Sequence, residues 1–80
     1  MMDVDDVLKG AISALVNGEP VEGLEGVRGE LGEGARLYFD MATDLLAEGD
    51  VGEAEKCLWA TRAEYLRAQC REMMEKKPPF

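Results

Sequence analysis

The sequence predicts an all-α domain of three helices, in which the last two form a long antiparallel hairpin. Apolar residues recur every three or four positions through most of the chain, which is the period of an amphipathic helix. Glycines that suit helix ends stand at Gly18 and Gly49. The 80 residues suffice for one small helical domain, 1–80, whose last residues, 77–80, form a short tail.

The first helix is predicted over about 4–16. Its apolar residues fall on one stripe: Val4, Val7, Leu8, Ala11, Ile12 and Leu15. Asp3 is a suitable N-cap, because a short acidic side chain can accept hydrogen bonds from the free amides of the first turn. The pair Asn17-Gly18 is a typical C-terminal stop.

The third helix is predicted over about 51–76. In "EGDVGEAE", Gly49 ends the preceding helix, Asp50 is the N-cap, and Glu53 completes a capping box. The prolines of "KKPPF" prevent the helix from continuing. A tight turn at Gly49-Asp50 therefore joins two antiparallel helices.

The second helix is predicted over about 20–48, with a weak glycine-rich first half. A helical apolar period passes through this segment: Val21, Leu24, Val27, Leu31, Ala35, Tyr38, Ala42 and Leu45. Pro20 suits the first position of a helix. However, the five glycines between Gly23 and Gly34 cost roughly 4 to 5 kcal/mol relative to alanine. We therefore expect a firm helix over about 34–48, and leave open whether 20–33 is helix or loop.

Enzymatic chemistry has little support in these residues, and we expect no catalytic residue, bound metal or cofactor. The chain has no histidine and a single serine, so the usual nucleophilic triads are absent. "GEGARL" has Leu37 where a dinucleotide-binding loop needs its third glycine, and acidic neighbours would repel phosphate. The one enzymatic alternative is a metal-dependent hydrolase, since three carboxylate pairs have the spacing that places two side chains on one helix face: Glu30 with Glu33, Asp50 with Glu53, and Glu72 with Glu75.

Charge is distributed unevenly along the chain. Residues 1–34 carry a net charge of −6, residues 35–55 carry −5, and residues 56–80 carry +3, for a total of −8. Such a chain repels nucleic acid along most of its length, so direct DNA or RNA binding is not expected. No apolar run is long enough for a membrane span. Cys57 and Cys70 are too far apart on one helix to form a disulfide, which indicates free thiols and a cytoplasmic location.

The third helix has more apolar surface than one neighbour can cover. One stripe, expected to pack on the second helix, is Val51, Ala54, Leu58, Thr61, Tyr65 and Ala68. A second stripe, turned by about 100°, contains Trp59, Ala63, Leu66, Cys70 and Met73 or Met74. Trp59 either packs against the first helix or anchors an interface. The first helix is short, so we expect four residues to remain exposed: Leu66, Cys70, Met73 and Met74.

The segment "LLAEGDVGEAEKCL", residues 45–58, resembles the inter-helix segment of tetratricopeptide-type hairpins, which have a glycine before the turn and an alanine early in the next helix. Here those residues are Gly49 and Ala54. The resemblance implies scaffold or adaptor work by helix packing. It covers these fourteen residues only, because the chain has no second repeat and its last helix is longer than that family uses.

The sequence thus favours a non-catalytic, acidic protein–protein interaction module, an adaptor or regulator. Its apolar stripe would dock on another protein or on a second copy, giving a hetero-complex or a homodimer. The alternative is an inhibitor that mimics nucleic acid by its charge, as small bacteriophage proteins that counter host defence often do. Its acidic residues would be Glu22, Glu25, Glu30, Glu33, Asp40, Asp44 and Glu48.

Overall fold

The computed structural model describes residues 3–21 and 23–76 of the chain. It contains three α-helices, α1 (Val4–Asn17), α2 (Glu33–Glu48) and α3 (Val51–Lys76), with a single 3-10 turn at Arg28–Glu30 before α2. No strand occurs among these residues. The predicted fold class is confirmed, since α2 and α3 form a closely packed hairpin and α1 lies on α3. None of the described helices combines the length and the apolar character needed to cross a bilayer.

Two glycines end the first two helices in the same way. Gly18 and Gly49 adopt the left-handed conformation, with φ of 73° and 87°. The amide after each glycine donates to a carbonyl five residues back, from Glu19 to Ala14 and from Asp50 to Leu45, at 2.7 and 2.9 Å. Both ends are therefore Schellman motifs, which satisfy carbonyls that a helix end leaves free. The sequence predicted both stops.

The N-caps agree with prediction only in part. The Glu53 amide donates to the Asp50 carboxylate at 3.4 Å, so Asp50 caps α3. In a capping box the Asp50 amide would donate to the Glu53 side chain. Here the Asp50 amide donates to the Leu45 carbonyl, and the Glu53 side chain pairs with Lys56 at 3.3 Å. Asp3 makes no side-chain cap hydrogen bond, which corrects the expectation for α1.

Residues 23–32 do not form an α-helix, which corrects the predicted helical extension of α2. Gly23 has a left-handed φ of 81°, and the chain then forms successive i to i+3 turns. The amide of Val27 donates to Leu24, that of Glu30 to Val27, and that of Leu31 to Arg28, at 3.1, 2.9 and 3.2 Å. Pro20 likewise lies outside any helix. The cost of five glycines outweighed the helical apolar period.

The glycine-rich segment is nevertheless well packed. Leu24, Val27 and Leu31 are buried, because turns of about three residues return every third side chain to the same side. Two arginines tie the segment to α2. Arg28 donates to both carboxylate oxygens of Asp40 at 2.8 and 3.1 Å, and Arg36 donates to the Leu31 carbonyl at 3.1 Å.

The core lies between α3 and the other elements. Its buried apolar residues are Val4, Leu8, Ala11, Ile12, Leu15, Leu24, Val27, Leu31, Ala35, Phe39, Ala42, Ala54 and Leu58. In α2 the buried aromatic is Phe39, whereas the predicted Tyr38 is exposed. Thr61 is fully buried, and its hydroxyl donates to the Cys57 carbonyl at 2.8 Å, so that its polar group is satisfied.

The first stripe predicted on α3 is buried only in its middle. Ala54, Leu58 and Thr61 are fully buried, but Val51 and Ala68 at the two ends are exposed. The start of α2 lies beside Glu64 of α3, since a methyl group at Gly34 would lie 3.1 Å from Glu64 Oε2. The helix therefore extends beyond the core.

Candidate functional site

The second apolar stripe of the third helix, here called the α3 seam, comprises Trp59, Ala63, Leu66, Cys70 and Met73. These positions step by four, three, four and three residues, the spacing of a coiled-coil seam. Four of the five are exposed and Leu66 is half-buried. Trp59 is 50% exposed, Met73 is 71% exposed and the adjacent Met74 is 76% exposed. The described chain therefore leaves this seam without an intramolecular partner helix.

Trp59 does not join the core. The half-buried residues that pack on the core from α3 are Cys57 and Tyr65, so full packing of Trp59 against α1 is not observed. The guanidinium carbon of Arg62 lies 5.9 Å from the centre of the indole ring, within the range of a cation–π contact. The indole thus has one face beside a cation, and half its surface lies in solvent.

Arg62 also joins α1 to α3. Its Nε donates to Asp5 Oδ1 at 2.7 Å, and Lys9 lies 3.2 Å from the other oxygen of the same carboxylate. Burial raises the pKa of Asp5, but the hydrogen bonds and charges of Lys9 and Arg62 together hold it below its ordinary value. The same guanidinium therefore contacts both the first helix and the exposed tryptophan.

The C-terminal part of α3 forms an exposed arm, residues 67–74, in which every side chain is exposed. The polar contacts of the arm stay on its own helix. Arg67 donates to Glu64 at 2.8 Å, and Gln69 donates to the Tyr65 hydroxyl at 2.8 Å.

Of the acidic residues proposed for charge mimicry, four lie on α2 and one of these four is paired. Glu33, Asp44 and Glu48 are exposed and share one face of α2, and none of the three forms an ion pair within residues 3–21 and 23–76. Asp40 is paired with Arg28, and its hydrogen bond from Arg28 lowers the Asp40 pKa. The remaining predicted positions are Glu25 and Glu30, which lie on the glycine-rich segment, and Glu22, which lies outside the described residues.

A groove of about 650 Å³, which the sequence did not predict, lies where α3 leaves the core. Val4, Leu31 and Ala68 supply apolar surface, and the carboxylates are those of Asp3, Glu30 and Glu72. Tyr65 also lines the groove, where burial and the nearby charges of Asp3, Glu30 and Asp5 raise its pKa. Residues from three separate elements meet here, so no local sequence signal could have found it.

Cys57 and Cys70 are both free thiols, as predicted, but Cys57 is half-buried and Cys70 is exposed. Within the described residues, no group of three or more histidine, cysteine or acidic side chains is arranged to hold a metal ion. Of the three carboxylate pairs with helical spacing, Glu30 lies in the 3-10 turn and Glu33 in α2, whereas Asp50 and Glu53 stand together at the start of α3. The third pair, Glu72 and Glu75, includes a side chain outside the described residues.

Comparison with known proteins finds no relative: no family, no curated protein and no solved structure matches this chain.

Proposed function

We propose that this chain is a non-catalytic protein–protein interaction module that docks a partner helix on the α3 seam. The observation that carries the proposal is an exposed apolar seam with heptad spacing on a helix that extends beyond the core. A helix–hairpin domain has no internal need for this surface, since Ala54, Leu58 and Thr61 already bury the opposite face of α3.

The residues of the seam suit an interface. Trp59 is the single tryptophan of the chain, and tryptophan is among the residues whose burial contributes most to binding free energy. Met73 and Met74 have flexible, polarisable side chains that adapt to a partner surface. Contiguous exposed apolar side chains of this size on a small protein are typical of interaction sites.

A second candidate function is the inhibition of a nucleic-acid-binding protein by charge mimicry. The exposed row of Glu33, Asp44 and Glu48 on α2 favours it, because these carboxylates are free to meet a basic groove. The pairing of Asp40 with Arg28 reduces the cluster by one charge. Binding of this kind would weaken strongly with added salt, whereas docking on the α3 seam would not.

Trp59 fluorescence provides the test, since one tryptophan reports on the seam alone. Association should shift its emission to the blue and protect it from acrylamide as the protein concentration rises. Met73→Asp should abolish the change, although this residue lies 14 positions from the indole. The control, Val16→Asp, alters an exposed apolar residue of α1 and should leave the change intact.

The proposal is wrong if no association of any kind depends on Met73. If association is lost between 50 and 500 mM salt and survives Met73→Asp, but is lost in Asp44→Lys, the charge-mimicry function replaces it.

A further inference from the structure

The groove beside Tyr65 has an apolar base. Three of the described residues that line it are apolar: Val4, Leu31 and Ala68. Val4 and Leu31 belong to the core, so core packing holds this part of the lining in place. The volume of about 650 Å³ falls within the range of small-molecule sites, which is about 300 to 1,000 Å³. The groove therefore has the size and the preformed apolar surface that a small ligand requires.

Carboxylates supply the charge of this lining. Asp3 precedes α1, Glu30 ends the 3-10 turn, and Glu72 lies on the exposed arm of α3. No lysine or arginine is among the described residues that line the groove. None of the three carboxylates forms an ion pair with a described residue. Negative charge from three separate elements thus converges on one concave, partly apolar surface, which attracts cations.

Tyr65 adds an aromatic ring to the groove. The ring is half-buried, and its hydroxyl accepts a hydrogen bond from Gln69 at 2.8 Å. Burial and the charges of Asp3 and Glu30 raise the pKa of this hydroxyl, which is the effect expected in a negative potential. An aromatic face attracts an organic cation in addition to the carboxylates.

We propose that this groove binds an aliphatic polyamine, a methylene chain that carries two or more ammonium groups. The methylene groups cover the apolar base, and the ammonium groups meet the carboxylates. An inorganic cation would leave the apolar base uncovered, and an anion would be repelled. The proposal goes beyond the docking function, since the groove and the α3 seam share no residue.

The first experiment is a calorimetric titration of the wild type with the triamine spermidine, which should bind once per chain. Ala68→Lys places an ammonium group in the groove, so it should weaken binding at least about tenfold. The matched control Ala63→Lys makes the same change on the same helix outside the groove, and should alter the affinity less than about twofold. Both alanines are exposed, so the fold is retained, which circular dichroism checks.

The second experiment removes the carboxylates. Glu30→Gln with Glu72→Gln should weaken spermidine binding at least about tenfold, because two of the three charges of the groove are lost. The control Asp44→Asn with Glu48→Gln removes the same charge from exposed positions of α2, and should leave the affinity nearly unchanged. Mg²⁺ at equal concentration should compete poorly, since it makes no contact with the apolar base.

Three results would overturn the proposal. Equal weakening by each variant and its control, or no binding at all, would show that spermidine has no site in the groove. Full competition by Mg²⁺ would show that the apolar base contributes nothing. Tighter binding of a capped trilysine peptide, which carries the same three ammonium groups, with the same loss in the groove variants, would replace the polyamine by a basic protein segment. The docking function is tested separately, by Met73→Asp.

Discussion

The glycine-rich segment 23–32 and helix α2 both bury apolar side chains three or four positions apart, yet only α2 is an α-helix. Leu24, Val27 and Leu31 lie in turns, whereas Ala35 and Phe39 lie on a continuous helix, and all five are buried. The two regions differ in the residues that stand between their apolar side chains. In the segment many of these residues are glycines, whereas in α2 most of them favour a helix. The spacing of apolar residues thus indicates which side chains face the core, and the residues between them determine the backbone conformation.

The largest expected change in stability comes from replacing a buried leucine of the segment. Leu31→Ala should lower the free energy of unfolding by about 2 to 4 kcal/mol, as for a core leucine in a helix. The matched control Leu37→Ala, on the exposed face of α2, should change it by less than about 0.5 kcal/mol. Urea denaturation measures both values. Equal small effects would mean that the segment contributes no stabilising burial.

A smaller effect is expected from the backbone of the segment. Gly23→Ala should destabilise by roughly 1 kcal/mol, because φ is 81° there and a Cβ disfavours this conformation. Gly26 does not have a positive φ, and no atom lies within 4 Å of an added Cβ. Gly26→Ala should therefore be neutral or stabilise by about 0.5 kcal/mol, through the unfolded chain. Thermal unfolding of the two variants distinguishes these outcomes by sign.

The smallest effect is expected from the exposed ion pair of Arg28 and Asp40, which links the segment to α2. Asp40→Asn should speed hydrogen exchange of the amides of Val27, Glu30 and Leu31, with little change in global stability. Arg28 lowers the Asp40 pKa in the folded state. The ion pair therefore stabilises the folded chain at pH values above the Asp pKa of the unfolded chain, which is about 4. Its contribution is lost as pH falls through the folded pKa. Exchange that depends on pH equally in wild type and variant below pH 4 would contradict this assignment.

Helix positions with local signals were predictable from the sequence. Gly18, Gly49 and Asp50 mark helix ends through their own conformation or hydrogen bonding, so their neighbours alone reveal them. The second apolar stripe of α3 could also be read from the sequence, and Cys70, Met73 and Met74 are exposed as expected. Leu66 corrects this expectation, because it is half-buried.

The other features depend on the choice between adjacent side chains and on distant pairs. The predicted stripe placed Tyr38 inside, but α2 buries the adjacent Phe39 instead, while Ala35 and Ala42 of the same stripe are buried as predicted. The pairs of Arg28 with Asp40 and Arg62 with Asp5 join residues 12 and 57 positions apart. The spacing of neighbouring residues cannot predict pairs this far apart in the sequence. It cannot predict the groove beside Tyr65 either.

The position of Arg62 has a thermodynamic consequence. One guanidinium holds Asp5 of α1 and lies beside the indole of Trp59, so the attachment of α1 and the engagement of Trp59 share a side chain. Linkage is reciprocal: if a ligand on Trp59 binds more tightly when Arg62 is fixed, it strengthens the attachment of α1 by the same factor. The first helix, remote in sequence from the seam, then acts as an effector element whose release weakens binding.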